Sequence, residues 1–209
     1  RVGYLTLLPT TRSESATHSK VKTVDEVLHQ GFYPDPALHG GDPALWYGAY
    51  VQTYLEKDVR QLIQIQDLNA FQRFLRLCAA RTGSLLDSTG LANEADINFR
   101  TMHKWLSVLE ASHVITLVKP YHRNFNKRLI KTPKLYFLDT GLASWLLGIR
   151  EPSHVSLHPL RGNLFETLVL SEILKHRYNR AETEEVFFWR DRQKNEIDFV
   201  LDQGLTRTA

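Results

Sequence analysis

Two short apolar bursts, separated by a charged turn, close the sequence in "FFWRDRQKNEIDFVLDQG". This is the pattern of a β-hairpin, and an isolated hairpin is only marginally stable in water. A chain with this ending must find further strands to pair with, so its fold is constrained to include a sheet. The second burst adds a chemical constraint, because it carries carboxylates at Glu196 and Asp198. In a regular strand side chains alternate between faces. Glu196, Asp198 and Asp202 therefore share one face, and Ile197, Phe199 and Leu201 the other. Paired carboxylates on one face suit a hard divalent cation such as Mg²⁺. They equally suit the solvated side of an antiparallel strand. Spacing alone supports both.

Upstream, the periodicity is helical. "VDEVLHQGFYP" reads as a short helix stopped at Gly31, and Trp46 to about Ile65 has helical spacing, with Glu56 and Arg60 paired four apart. "PDPALHGGDP", Arg12 to Lys20 and "REPSHVSLHPLRG" read as connectors. "NAFQRFLRLCAARTG" places Phe71, Phe74, Leu75 and Cys78 on one face, and a short helix follows near "SLLDSTGLANEA". Asn98 can cap a third helix with the apolar stripe Met102, Trp105, Leu106 and Leu109. "VITLVKPY" and "KRLIKTPKLYFLD" then read as two strands joined by "HRNFN". Three helices followed by a hairpin is the element order of a winged helix-turn-helix. Asp139 is placed to cap "TGLASWLLGI", and a strongly apolar helix, "NLFETLVLSEILKHRY", precedes the closing hairpin. The expected fold class is thus mixed α+β.

The 209 residues fit one large domain or two small ones, with a 43% hydrophobic fraction ordinary for a globular protein. No apolar run approaches a membrane span, and no signal peptide opens the chain. The single cysteine, Cys78, excludes an internal disulfide and is expected in the core, so a cytoplasmic location is expected. A net charge of +3 is too small to specify nucleic acid by itself. Its distribution says more: Lys119, Arg123, Lys127, Arg128, Lys131 and Lys134 run together without an acid among them. On a wing such a run can lie along phosphates. Arg100, His103 and Lys104 open the third helix, where a recognition helix meets a groove. A solvated hairpin, or a basic surface docked on a protein partner, is the alternative. His154 and His158 lack further ligands at useful spacing, and no nucleophile-elbow motif occurs.

The stretches "YVQTYLEKDVRQL", "LCAARTGSLL", "KTPKLYFLDTGLASWLLGI", "GNLFETLVLSEILK" and "FFWRDRQKNEIDFVL", in this order, resemble prokaryotic AAA+ ATPases carrying the C-terminal domain of unknown function 4143. The opening "GYLTLLPTTRSE" is similar to the last strand of that family's ATPase core. The resemblance implies a remnant of the core over residues 1–20, a helical linker over 21–66, a winged-helix domain over 67–140 and an incomplete restriction-endonuclease-like α/β domain over 141–209. Both ends read as interrupted, so a longer parent protein is expected. No phosphate-binding loop is present, so ATP and its Mg²⁺ are expected on an upstream core and not here. In the nuclease-like fold, the resemblance implies Glu166 as the helix acid and Asp198 as the strand acid, with Glu196 beside it and Mg²⁺ as the ion. The following Glu-x-Lys strand is missing, because Asp202 to Ala209 contain no lysine. No intact catalytic set is therefore expected. Glu166 also stands three residues after Asn163, as in a capping box. The expected function is a DNA-associated or partner-docking module of an ATPase. The alternatives are a metal-dependent nuclease domain and a purely structural interaction domain. Expected partners are the ATPase core, DNA and a second copy of the chain, with no membrane.

Overall fold

The computed structural model describes residues 6–18, 23–58, 67–121, 131–182, 185–191, 193–202 and 207–208. One mixed sheet runs through both halves of the sequence. Its strands are β1 (Ser84–Leu85), β2 (Ile115–Pro120), β3 (Lys134–Phe137), β4 (Val186–Arg190), β5 (Glu196–Asp202) and β6 (Arg207–Thr208). They lie in the order β1-β3-β2-β4-β5-β6. All neighbours are antiparallel except β2 and β4, which run parallel with Lys119 beside Phe187 and Pro120 beside Phe188. The closing hairpin thus finds its missing strands in the earlier one.

The helices form for local reasons that the sequence displays. In α4 (Leu68–Ala79), Asp67 accepts from the Ala70 N–H at 2.9 Å, and Phe71, Phe74, Leu75 and Cys78 are all buried. After it come α5 (Ser88–Ala95) and α6 (Phe99–Ala111), the latter capped by Asn98, which accepts from the Thr101 N–H at 2.8 Å. Trp105 of α6 meets Phe71 and Phe74 edge-on at 5.1 and 5.3 Å between ring centres. Met102, Leu106 and Leu109 complete that core, as the apolar stripe requires. Helix α2 (Val24–Gln30) stops at Gly31, whose φ of 69° is accessible to glycine at little cost. Helix α7 (Thr140–Leu146) begins at Asp139, which accepts from the Leu142 N–H at 2.7 Å.

Several connectors are more ordered than their composition suggests. Thr11 and Glu14 form a reciprocal capping box and start α1 (Arg12–Ala16) where a loop is expected. Pro152 opens α8 (Pro152–Leu157), since a proline suits the first turn of a helix, and Val155 buries there. Asp35–His39 is a π-helical turn. The helix expected from Trp46 splits into α3 (Pro43–Tyr50) and a π-helical stretch, Val51–Asp58. Its continuation to Ile65 and the Glu56–Arg60 pair lie outside the described residues, as do residues 1–5 of the opening strand. No described helix is long and apolar enough to cross a membrane.

Helix α9 (Arg161–Asn179) packs on the sheet through an unusual stripe. Asn163 donates to the Thr82 carbonyl at 3.0 Å, and the Thr167 and Thr82 hydroxyls pair at 2.8 Å. Ser171 donates to the Leu138 carbonyl at 2.8 Å, and Lys175 is buried one turn further on, 3.1 Å from Glu172. Positions four apart lie on one helix face, so this helix is registered on the fold by hydrogen bonds as well as by Leu164 and Leu170. The capping box read at Asn163 and Glu166 does not form. The helix starts three residues earlier, with Leu160 at its cap, and Asn163 points at Thr82 instead.

Candidate functional site

All four residues of strand β3, which lies between β1 and β2, are buried. Lys134 keeps only 3% of its side-chain surface exposed, and Tyr136 is fully buried. A buried ammonium is very costly unless opposite charge surrounds it. Here it is surrounded. Lys134 Nζ donates to Glu166 Oε1 of α9 at 2.9 Å, pairs directly with Glu196 Oε1 of β5, and lies 3.8 Å from Asp198 Oδ1. Beneath it, the Phe188 ring centre lies 5.5 Å away. Oxygens of Glu166, Glu196 and Asp198 all fall within 4.8 Å of one another. Glu166, thirty positions upstream in the sequence, is therefore brought beside Glu196 and Asp198 in space.

Two further groups hold the carboxylates. Tyr136 Oη donates to Glu166 Oε1, and Arg190 Nη1 lies 3.2 Å from Glu196 Oε2. Burial pulls the Lys134 ammonium down, but its hydrogen bonds to Glu196 and Glu166 outweigh this and hold it above the usual lysine range. Burial, reinforced by the hydrogen bond to Glu166, pushes the Tyr136 phenol well up. Two cations face three carboxylates, so this set carries a residual negative charge. Exposure is graded: Glu166 keeps 18% of its side chain open, Glu196 23% and Asp198 63%. Asp198 is the mouth of the site. It borders an open groove of about 540 Å³, with Ile173, Phe199 and Leu201 on the apolar side. A second cleft of about 520 Å³, lined by Glu110, Lys119 and Arg177 among others, contains none of these acids.

Regular alternation does not produce this arrangement. Between two paired positions, β4 advances from Phe187 to Trp189 while β5 runs from Val200 back to Ile197. Strand β5 thus carries one extra residue, a β-bulge, with Asp198 and Phe199 both opposite Phe188. The bulge shifts the phase of the strand. Glu196, paired with Arg190, and Phe199 and Leu201, packed with Tyr136 and Leu170, all serve the face that α9 covers. The expected segregation of acids from apolar residues fails here because a bulge cannot be read from period-two alternation. The side chain of Asp202 lies outside the described residues.

The donor set fits a hard divalent cation, since three carboxylate oxygens converge and one negative charge is left over. Glu166, Glu196 and Asp198 are the residues that would hold it.

Among the described residues, the basic positions expected on the wing are dispersed. Lys134, expected on a phosphate-facing wing, is instead inside the acidic cluster, because α9 and β5 bring their carboxylates to its face of β3. Lys119 is exposed and lies 3.6 Å from Glu185. Lys131 is exposed, while Arg123, Lys127 and Arg128 lie outside the described residues. Arg100, His103 and Lys104 share the exposed side of α6, where Phe99 packs edge-on against His103 with 4.4 Å between ring centres. Sequence reasoning missed Lys134, Tyr136 and Arg190 as members of the site. The available signal was Lys134-x-Tyr136 at strand spacing, which puts an amine and a phenol on one face.

Two family models match the chain. Residues 161–209 match Domain of unknown function (DUF4143), a domain associated with the C-terminal regions of AAA-type ATPases. Among curated proteins, the chain is similar to uncharacterized protein Rv2008c of Mycobacterium tuberculosis and uncharacterized protein Mb2031c of Mycobacterium bovis. Each is 29% identical over 161 residues, covering 77% of this chain and 36% of the relative. The chain thus spans about a third of the length of these relatives. No solved structure matches it. The other family model covers residues 21–153, the larger part of the sequence, and by that match the chain belongs to the family described as Domain of unknown function (DUF8612).

Proposed function

We propose that this chain is a DNA-directed C-terminal module of an AAA-type ATPase, with no nucleotide site of its own, whose acidic cluster is a divalent-cation site for hydrolysis of nucleic-acid phosphodiesters. The observation that carries this reading is the convergence of Glu166, Glu196 and Asp198 around Lys134. An amine beside the carboxylates suits phosphodiester hydrolysis, and here β3 brings one, Lys134, to them. Bound at the carboxylates, Mg²⁺ would supply an activated water and neutralise charge on the phosphate. The chain's own residues supply the rest. Tyr136 and Arg190 fix Glu166 and Glu196 through donors that do not depend on an ion. Asp198, the most exposed acid, faces the groove through which a strand of nucleic acid would approach. The test is cleavage of plasmid and single-stranded DNA by the purified chain with Mg²⁺ or Mn²⁺. Cleavage lost in Asp198→Asn supports the reading. Absence of cleavage with either ion, or cleavage unaffected by Asp198→Asn, overturns it.

A second reading, nucleic-acid docking without hydrolysis, is favoured by the exposed basic side of α6. Element order here is α4, β1, α5, α6, β2, β3, which is compatible with a winged helix and would make α6 its recognition helix. Arg100→Glu with Lys104→Glu should then weaken DNA binding at least tenfold in a gel-shift titration. It should also flatten the salt dependence by about one unit of slope for each phosphate that is no longer neutralised. Affinity unchanged by the double substitution excludes α6 from the interface.

A further inference from the structure

The ammonium of Lys134 and a divalent cation cannot occupy the acidic cluster together. The oxygens that would ligate an ion are those that Lys134 already engages: Glu166 Oε1 at 2.9 Å, Glu196 Oε1 in direct contact, and Asp198 Oδ1 at 3.8 Å. The other oxygen of Glu196, Oε2, lies 3.2 Å from Arg190 Nη1, and Glu166 Oε1 also accepts from Tyr136. Glu196 thus has both oxygens engaged, and the Glu166 oxygen that meets the lysine is shared with a second donor. The lysine is anchored in an inner strand, with 3% of its side chain exposed, so it remains beside the cluster even when not paired. Asp198, 63% exposed and the most distant of the three, is the acid an entering ion would meet first.

We propose that Lys134 is the resident cation of this cluster and that a divalent ion enters only by displacing it, so that the lysine sets the metal affinity of the site. This rests on the divalent-cation reading above, but it makes a separate claim about one residue. In effect the site is self-inhibited: weak for metal at rest, and opened by whatever moves Lys134 off its carboxylates. A phosphodiester entering beside Asp198 is an occupant that could do so, since its charge offers the displaced ammonium a new partner.

The experiment measures Mn²⁺ binding to the chain by isothermal titration calorimetry and by its electron paramagnetic resonance signal, independently of any cleavage. The wild-type chain is compared with Lys134→Met, which keeps most of the side-chain volume and removes the charge. The exposed Lys119→Met serves as a control. The expected result is Mn²⁺ affinity at least tenfold higher in Lys134→Met and unchanged in Lys119→Met. Unchanged or weaker affinity in Lys134→Met overturns the proposal. Lys134→Met could fold poorly without metal, because it leaves carboxylates packed together. The midpoint of thermal unfolding is therefore read with and without Mn²⁺. A larger Mn²⁺-induced rise in Lys134→Met than in wild type supports displacement, and an equal or smaller rise counts against it. Tighter binding in Lys134→Met with no DNA cleavage by the wild type sustains this inference and removes the nuclease reading. Cleavage by the wild type without tighter binding in the variant does the reverse. Absence of Mn²⁺ binding in both proteins overturns both.

Discussion

Lys134 illustrates how a residue's neighbours, more than its type, decide its role. In sequence it belongs to a basic run; in space it belongs with acids brought by two other elements. Its neighbour two places on is equally committed. Tyr136→Phe removes a hydrogen bond to a charged acceptor and should cost about 1.5–3 kcal/mol in a denaturation experiment. Mn²⁺ binding would test whether Glu166 has also lost its orientation. A second buried hub is built at Asp139, whose carboxylate accepts from Tyr47 Oη, the Phe32 N–H and the Leu142 N–H, each at 2.7 Å. Burial raises the pKa of Asp139, and the three donors only partly offset it. Gly31 lies directly against this hub, and a Cβ there would collide with Tyr47 and the Asp139 carboxylate. Gly31→Ala should therefore cost more than the roughly 1–2 kcal/mol due to the left-handed backbone alone. A thermal melt measures it. Of these residues, Asp139 as a cap and Gly31 as a stop were legible in the sequence. Their meeting with Tyr47 was not, because contacts over such separations leave no periodic trace.

Elements whose signal is local were the most readable. The amphipathic faces of α4 and α6, with their Asp67 and Asn98 caps, follow from spacing and capping chemistry, and the closing hairpin follows from its apolar bursts. Helix α9 was recognisable as a helix, but its start was misjudged, because Asn163 is spent on Thr82 instead of on the helix end. The buried side of α9 is polar along Asn163, Thr167 and Ser171, a stripe that hydrophobic patterning overlooks. It predicts that Thr167→Val, nearly isosteric, leaves the buried Thr82 hydroxyl without this partner and costs about 1–3 kcal/mol. An equal melting temperature for the variant would show that the stripe is not what registers the helix. Because Glu166 precedes Thr167, the same variant should also weaken Mn²⁺ binding.

The whole molecule is tied together by the parallel pairing of β2 with β4, which joins the residues matched by one family model to those matched by the other. Unfolding in urea should then be a single transition, with coincident curves from far-ultraviolet circular dichroism and from the fluorescence of the four tryptophans, Trp46, Trp105, Trp145 and Trp189. Two separated midpoints would mean that the two regions fold independently. Stability should also depend on pH through His29 of α2, whose pKa burial lowers below 6.5. The unfolded chain then binds the proton more tightly than the folded one. This contribution is complete above the ordinary histidine value and is lost as pH falls through the lowered one. His29→Gln should flatten the pH dependence of the melting temperature in that window. The bulge in β5 has a consequence for descent as well. A deletion of one codon between Ile197 and Val200 would turn either the carboxylates or their greasy companions outward, whatever amino acids remained. Lineages that keep this site should hold the length of that stretch and the acid at Asp198 while varying the residues around it.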